Sequence, residues 1–248
     1  MSDSHANRRR FLGACGKLLG LMSLAPGAMA VQRPVKRYER VLLTDEHGRP
    51  LDCAELSPEH EYIFHYPYSL TPCFLLDLGR PLAGGKELST KDGEPYRWQG
   101  GVGPGRSLVA FSAICAHRMT HPTPNVSFIG YRKQEIGYLD SDYELRHRAG
   151  VIQCCSERSI YDPANGAEVL GGPADQPLAA IELEYTEQGE LYATGVYGGD
   201  LFDRYFETFN QRLILEYQTL DVRQPVQARS KVLSVDGYTR RRMDCSGS

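Results

Sequence analysis

Short apolar and aromatic runs, several of them bounded by proline or glycine, recur along the chain from residue 41 onward. The runs cover residues 41–43, 62–66, 73–78, 107–111, 150–152, 180–185 and 190–194. Each run is long enough for one strand, and Glu187-Gln188-Gly189 between the last two is a hairpin signal. Short strands separated by turn signals about every ten residues predict a mostly β fold, an antiparallel sandwich or open barrel.

The spacing of apolar residues changes after Gly198-Gly199 from that of strands to that of a helix. The apolar positions that recur at helical spacing are Leu201, Phe202, Tyr205, Phe206, Phe209, Leu213 and Ile214. We therefore predict a C-terminal amphipathic helix from about Asp200 to Tyr217. We interpret its aromatic stripe as a face docked on the β domain. The polar tail 219–248 shows no readable pattern.

The first thirty residues have the pattern of an export signal. Arg8-Arg9-Arg10-Phe11-Leu12 precedes an apolar run, 18–25, and Ala28-Met29-Ala30 offers a small-x-small cleavage site. The paired arginines resemble a twin-arginine signal, which exports proteins already folded around a cofactor. The apolar run is shorter than the ~20 residues that span a bilayer. We expect a periplasmic protein, soluble or anchored to the inner membrane by an uncleaved N-terminus.

Charge and cysteine content narrow the possible functions. The formal net charge is −3, and residues 31–248 alone hold 24 Lys and Arg against 30 Asp and Glu, a charge of −6. This balance argues against nucleic acid as a partner, since phosphate binding favours a basic face. The same region holds six cysteines: Cys53, Cys73, Cys115, Cys154, Cys155 and Cys245. An even number in an oxidising compartment invites disulfides, but the sequence does not identify the pairs.

Two cysteine motifs follow predicted strands and suggest a metal centre. Cys115-Ala116-His117 comes after one strand, and Cys154-Cys155 comes after another. The second motif continues with Ser159-Ile160-Tyr161-Asp162, then Gly172-Pro173-Ala174 and Pro177-Leu178. This order resembles the Rieske iron–sulfur family, whose members carry a C-x-H box and a C-x-x-H-x-S-x-(Tyr/Phe)-Asp box. In that family a Gly-Pro-Ala loop, Pro-Leu and a final hairpin follow the second box.

The resemblance covers about residues 41–195 and implies a 2Fe–2S cluster. By position, Cys115, His117 and Cys154 would be cluster ligands. Neutral imidazole ligands leave such a cluster less negative than four thiolates, so it accepts an electron more readily. The matching positions imply that Ser159 donates to a bridging sulfide and Tyr161 to a cysteine sulfur, which raises the potential further. The loop 172–174 would cover the cluster and limit water.

The second box departs from the family pattern at its histidine. Aligned without gaps from Ser159, Cys154 takes the thiolate position and Glu157 stands where histidine is expected. Aligned one residue shorter, Cys155 is the thiolate and Arg158 replaces histidine. Some members of the family carry one more cysteine in each box, and the two are joined as a disulfide. In the first alignment these positions are Thr120 and Ser156, so both cysteines are missing together, and we prefer that alignment.

The fourth ligand is left open among three residues. Glu157 can ligate iron through its carboxylate, His121 can supply a replacement imidazole, and Cys155 can supply a third thiolate. His147 is another imidazole near the second box, but the arginines on either side of it indicate an exposed residue.

The two boxes are separated by more residues than the family usually has. Residues 125–131 and 135–139 are strand-like, so we predict an inserted hairpin beside the cluster face. The predicted segments are therefore an export signal or anchor (1–30), a Rieske-like 2Fe–2S domain (41–197) and a C-terminal helix with its tail (198–248).

One-electron transfer is the function that the resemblance implies. The partner would be a redox protein or a membrane electron-transfer complex. No nucleophile–base set, nucleotide loop or separate mononuclear iron site is visible, so we identify no substrate-transforming site. The competing hypothesis is a cluster-free binding or assembly protein on the same scaffold.

Overall fold

The computed structural model describes residues 35–245, and the predicted export signal lies outside the described residues. Strands account for most of the regular structure. They are β1 (Lys36–Thr44), β2 (Glu61–His65), β3 (Pro72–Asp77), β4 (Lys86–Ser89), β5 (Pro95–Trp98), β6 (Leu108–Ser112), β7 (Ile129–Arg132), β8 (Ile136–Leu139), β9 (Leu145–Arg148), β10 (Val151–Cys154), β11 (Ser159–Asp162), β12 (Glu168–Gly171), β13 (Ala180–Tyr185), β14 (Leu191–Tyr197), β15 (Arg229–Lys231) and β16 (Leu233–Ser234). The helices are α1 (Asp200–Tyr217) and the single turn α2 (Val235–Tyr238).

An eight-stranded sheet forms the body of the protein. Its strand order is β15-β1-β14-β13-β6-β3-β2-β16, and all pairs are antiparallel except β1 with β15. The central strands β3 and β6 are almost wholly buried, as expected for their continuous apolar sequences. The prediction of a mostly β fold is confirmed.

A second sheet, of order β12-β11-β10-β7, carries the second cysteine box. The box lies at the turn between β10 and β11, where Cys154 pairs with Ser159 across the ladder. All four residues of β11 are buried. The first box follows β6 of the larger sheet, so each sheet contributes one loop to the candidate site.

The inserted hairpin is present, but its strands differ from those predicted. The hairpin is formed by β8 and β9, which pair only with each other. Residues 125–131 were expected to be one arm of the hairpin, but residues 129–131 belong to β7, which pairs with β10 instead. The reason is burial: Ile129 and Tyr131 on β7 are in the core, whereas Leu139 on β8 and Leu145 on β9 are exposed.

Helix α1 has the bounds that its sequence predicts. Its buried residues are Leu201, Phe202, Tyr205, Phe206 and Leu213, and they belong to the same apolar core as the strands. The polar tail 219–248 showed no pattern in the sequence, yet part of it belongs to the eight-stranded sheet. In that sheet β15 pairs with β1 and β16 pairs with β2. Within residues 35–245, none of the helices combines the length and apolar character needed to cross a membrane.

Candidate metal centre

The first box lies in a tight loop that begins three residues after β6. The N–H of Cys115 donates to the carbonyl of Thr120 at 2.8 Å, and the N–H of Met119 donates to the carbonyl of Cys115 at 2.9 Å. Met119 closes this loop with a positive φ of 55°. The backbone hydrogen bonds of this loop therefore fix the Cα positions of Cys115 and His117.

The second box is a turn closed on its own cysteine. The N–H of Arg158 donates to the carbonyl of Cys154 at 2.9 Å. Gly172 of the predicted cover loop packs directly on this turn. Its φ is +80°, and a Cβ there would lie 2.3 Å from the carbonyl oxygen of Arg158, so only glycine fits. The loop 172–174 is therefore held against the second box.

The sulfurs of Cys115 and Cys154 meet in the interior between the two boxes. Both cysteines are buried and neither forms a disulfide. The two side chains hydrogen-bond to each other. Each sulfur also receives two backbone N–H groups from its own loop, residues 117 and 118 for Cys115 and residues 156 and 157 for Cys154. Amide donors of this kind stabilise thiolates and the metals that thiolates bind.

Tyr161 adds a side-chain donor to this arrangement. Its hydroxyl lies 3.2 Å from the Cys115 sulfur and accepts the N–H of Ala116 at 3.1 Å. Burial raises the pKa of Tyr161, so the phenol keeps its proton. A hydroxyl that accepts one N–H can direct that proton to the sulfur, as the family pattern implies.

The pKa values of the two thiols are shifted in opposite directions. The contact with Cys154, followed by the Tyr161 hydroxyl and the loop amides, lowers the pKa of Cys115 to about 6 despite its burial. The contact with Cys115 and then burial raise the pKa of Cys154. A thiol must lose its proton to bind a metal, so metal binding to this pair would release protons.

His117 and Glu157 face each other from the two boxes. The imidazole Nδ1 of His117 lies 3.4 Å from Oε2 of Glu157, while Oε1 of Glu157 accepts from Arg118 Nε at 2.7 Å. His117 Nδ1 is buried and is not aligned for a hydrogen bond with any described residue. Two ligands of one tetrahedral ion with bonds of about 2.0 to 2.1 Å lie about 3.4 Å apart. One nitrogen and one oxygen are therefore spaced as ligands of a single ion.

Ser159 provides an independent test of whether this site fits a cluster. Its residue is fully buried, and its hydroxyl has no hydrogen-bond partner within the described part of the chain. A buried hydroxyl without a partner is costly, and a bridging sulfide would satisfy it. Among residues 35–245, no three or more His, Cys, Asp or Glu side chains converge on one ion. A 2Fe–2S cluster needs only two protein ligands on each iron, and the site offers two such pairs.

The other histidine candidates have different surroundings. His121 packs against the rings of Tyr205 and Phe209 on α1, with centroid distances of 5.0 and 5.6 Å. Its Nδ1 lies 2.9 Å from the carbonyl oxygen of Met119, and burial lowers the pKa of His121. His147 is exposed on β9. His121 therefore lies against α1, whereas Glu157 faces His117 across the two boxes.

Cys155 is the candidate that the structure contradicts. It forms a disulfide with Cys245, with the two Cα atoms 5.2 Å apart. A disulfide sulfur carries no thiolate charge, so Cys155 cannot be the third thiolate ligand. Cys53 and Cys73, left open by the sequence, are buried free thiols whose pKa values are raised by burial.

Three residues near the site were missed by the sequence reasoning. Arg118 holds one oxygen of Glu157, and Cys245 and Arg132 contact Cys155. The even number of cysteines was a signal for a disulfide. Nothing in the sequence marked Arg118 or Arg132.

Comparison with curated proteins finds a relative at low sequence identity. The chain is 27% identical over 197 residues to the iodate reductase subunit IdrB of Denitromonas iodatirespirans, covering 77% of this chain and 82% of the relative. Among solved structures, it is similar to the soluble domain of Rieske protein II (soxF) from Sulfolobus acidocaldarius. That match has a TM-score of 0.41 and 24% identity, and covers 64% of this chain and 78% of the other. No family model matches the chain.

Proposed function

We propose, from the premise that this chain belongs to the Rieske iron–sulfur family, that it carries single electrons through a 2Fe–2S cluster. Cys115 and Cys154 would hold one iron, and His117 and Glu157 would hold the other. When bound, the cluster would accept and release one electron at a time.

The observation that carries this proposal is the convergence of the two loops. Two buried free cysteines touch each other, and each receives two backbone N–H groups from its own loop. A nitrogen and an oxygen face each other 3.4 Å apart across the same two loops. The unpartnered Ser159 hydroxyl is a further buried donor in this region. An ordinary β scaffold has no physical need for such a set.

The chain's own residues would hold the site in place and tune its potential. Tyr161 directs its hydroxyl at the Cys115 sulfur, and donors to sulfur favour the reduced state because they stabilise added negative charge. Arg118 binds Oε1 of Glu157, and Oε2 of the same carboxylate faces His117. The loop that begins at Gly172 packs on the second box and limits the access of water.

The proposal includes a redox assembly outside the cytoplasm. The relative IdrB is named as a subunit of an iodate reductase, which supports a role as one component of a larger redox system. We propose that the precursor is exported by its twin-arginine signal and passes electrons to or from a redox protein or a membrane electron-transfer complex.

A reductive titration of the purified protein tests this function. Stepwise addition of dithionite should bleach the visible absorption after about one electron per chain and produce an electron paramagnetic resonance signal. Reoxidation by a one-electron acceptor should restore the absorption. A colourless protein that takes up no electrons would instead favour a cluster-free binding or assembly role.

A further inference from the structure

The C-terminal residues 240–245 form a strap that ends beside the second box. Cys245 is joined to Cys155 by the disulfide, across 90 residues of sequence. Cys155 directly follows Cys154, a proposed iron ligand. The covalent link therefore lies one residue from the site, although the strap contributes no ligand.

Backbone hydrogen bonds fix the strap along the segment that follows the first box. The N–H of Arg240 donates to the carbonyl of Pro124 at 3.0 Å. Further along, Ser127 donates its N–H to Arg241 at 2.9 Å and accepts the N–H of Met243 at 2.8 Å. Ser127 and Arg242 form a parallel β-bridge. The strap therefore runs in register beside the chain that connects the two boxes.

Arg132 clamps the strap to the second box. One guanidinium nitrogen, Nη2, donates to the carbonyl of Met243 at 2.8 Å and to the Cys155 sulfur at 3.2 Å. Its Nε donates to the side chain of Gln153 at 3.2 Å. Gln153 lies on β10 immediately before Cys154. A single half-buried cation thus holds the strand, the disulfide and the tail together.

The strap is also anchored to the larger sheet. Arg242 forms an ion pair with Glu61 on β2, a carboxylate that is 2% exposed. The same carboxylate accepts the N–H of Tyr131 on β7 at 2.8 Å. Glu61 therefore connects the two sheets, and the strap binds at that connection.

We propose that residues 240–245 are a brace that positions the second box for the metal centre; this rests on the proposed function. Residues 156–158 of the turn are exposed, and the turn presents two amides to the Cys154 sulfur as well as the Glu157 carboxylate. The disulfide and the Arg132 clamp hold the start of this turn, next to the N–H of Cys155, which donates to Phe128 at 2.6 Å. Cys155, Cys245 and Arg132 are thus positioning residues for the site.

The test compares Cys245→Ser with a matched control truncated after Cys245, which keeps the disulfide. In Cys245→Ser, amide hydrogen exchange in residues 155–158 should accelerate about tenfold or more, and the control should match the wild type. The paramagnetic signal of the reduced cluster should broaden in Cys245→Ser alone, and cluster loss to a chelator should be about tenfold faster. A change confined to global unfolding, with an unchanged signal and unchanged exchange in the turn, would overturn the positioning role.

Two further measurements keep the outcome decisive. If Cys245→Ser does not fold, reduction of the disulfide in the folded wild type should produce the same local increase in hydrogen exchange. Free thiols at both Cys155 and Cys245 in protein isolated from the oxidising compartment would overturn the brace. Hydrogen exchange reports on the turn with or without iron, so a wild type that lacks a cluster would contradict the proposed function and still test the brace.

Discussion

Within the proposed metal centre, Glu157 is the ligand whose assignment most needs a test. It replaces the expected histidine and lies 3.4 Å from His117 Nδ1. We predict that Glu157→Ala loses iron because one iron keeps only a single protein ligand. Glu157→His should retain the cluster and raise its reduction potential, since a neutral imidazole replaces a negative carboxylate. Metal analysis and a redox titration measure both effects.

His121→Ala serves as the matched control for Glu157→Ala. Its ring packs on α1, so the variant should lose some stability and keep its iron. Loss of iron in His121→Ala together with full iron in Glu157→Ala would move the fourth ligand to His121. With Glu157 as ligand, the wild-type potential should fall in the lower part of the family range of roughly −150 to +300 mV.

Tyr161→Phe should lower the reduction potential and leave the iron content unchanged. The substitution keeps the buried ring and removes the hydroxyl that lies 3.2 Å from the Cys115 sulfur. A net hydrogen bond of ~1 kcal/mol that strengthens on reduction corresponds to a shift of about 40 mV in a one-electron couple. Tyr205→Phe is the control, because its buried hydroxyl has no partner among residues 35–245. Equal potentials in wild type and Tyr161→Phe would refute this role.

Helix α1 stabilises the protein through one face only. Leu213 is fully buried, whereas Leu215, two residues on, is 79% exposed. We predict that Leu213→Ala lowers the free energy of unfolding by ~2–5 kcal/mol, and that Leu215→Ala changes it by less than ~0.5 kcal/mol. Denaturant unfolding of the two variants measures the difference. Similar losses in both, or none in either, would contradict the docking of this face.

The elements that the sequence predicted well are those with a strong local pattern. The helical period of α1 and the apolar runs of β13 and β14 are local patterns within a single segment, so the sequence alone defines these elements. The pairing of β7 with β10 was missed because it depends on the burial of Ile129 and Tyr131 in the core. That burial is a long-range contact, which the local pattern of residues does not reveal. The strap 240–245 was missed for a related reason. It is held by backbone bonds, Arg132 and a disulfide, none of which has a local hydrophobic signature.

At the scale of the whole molecule, the candidate site is built from both sheets. Each sheet supplies one box, and the Cys155–Cys245 disulfide requires an oxidising environment to persist. The motif order in the sequence was enough to predict Cys115, His117 and Cys154 as neighbours. The sequence could not eliminate Cys155 as a ligand, since its partner lies 90 residues away.

Export is the prediction that concerns the entire precursor. We expect that changing Arg8 and Arg9 together to Lys retains the precursor in the cytoplasm, because the twin-arginine route requires both residues. Cell fractionation and immunoblotting measure the distribution. Changing Arg10 alone to Lys is the control and should leave export intact. Normal periplasmic levels of the double variant would show that another route is used.

The central claim is that the two loops together hold a 2Fe–2S cluster. The most direct measurement is the iron and acid-labile sulfide content of the purified wild type beside Cys115→Ser and Cys154→Ser. We predict about two iron and two sulfide per wild-type chain and loss of both in each variant. Cys73→Ser, which changes a buried thiol of β3 outside both boxes, should retain both. Iron and sulfide contents that are the same in the wild type and in both ligand variants would contradict the claim.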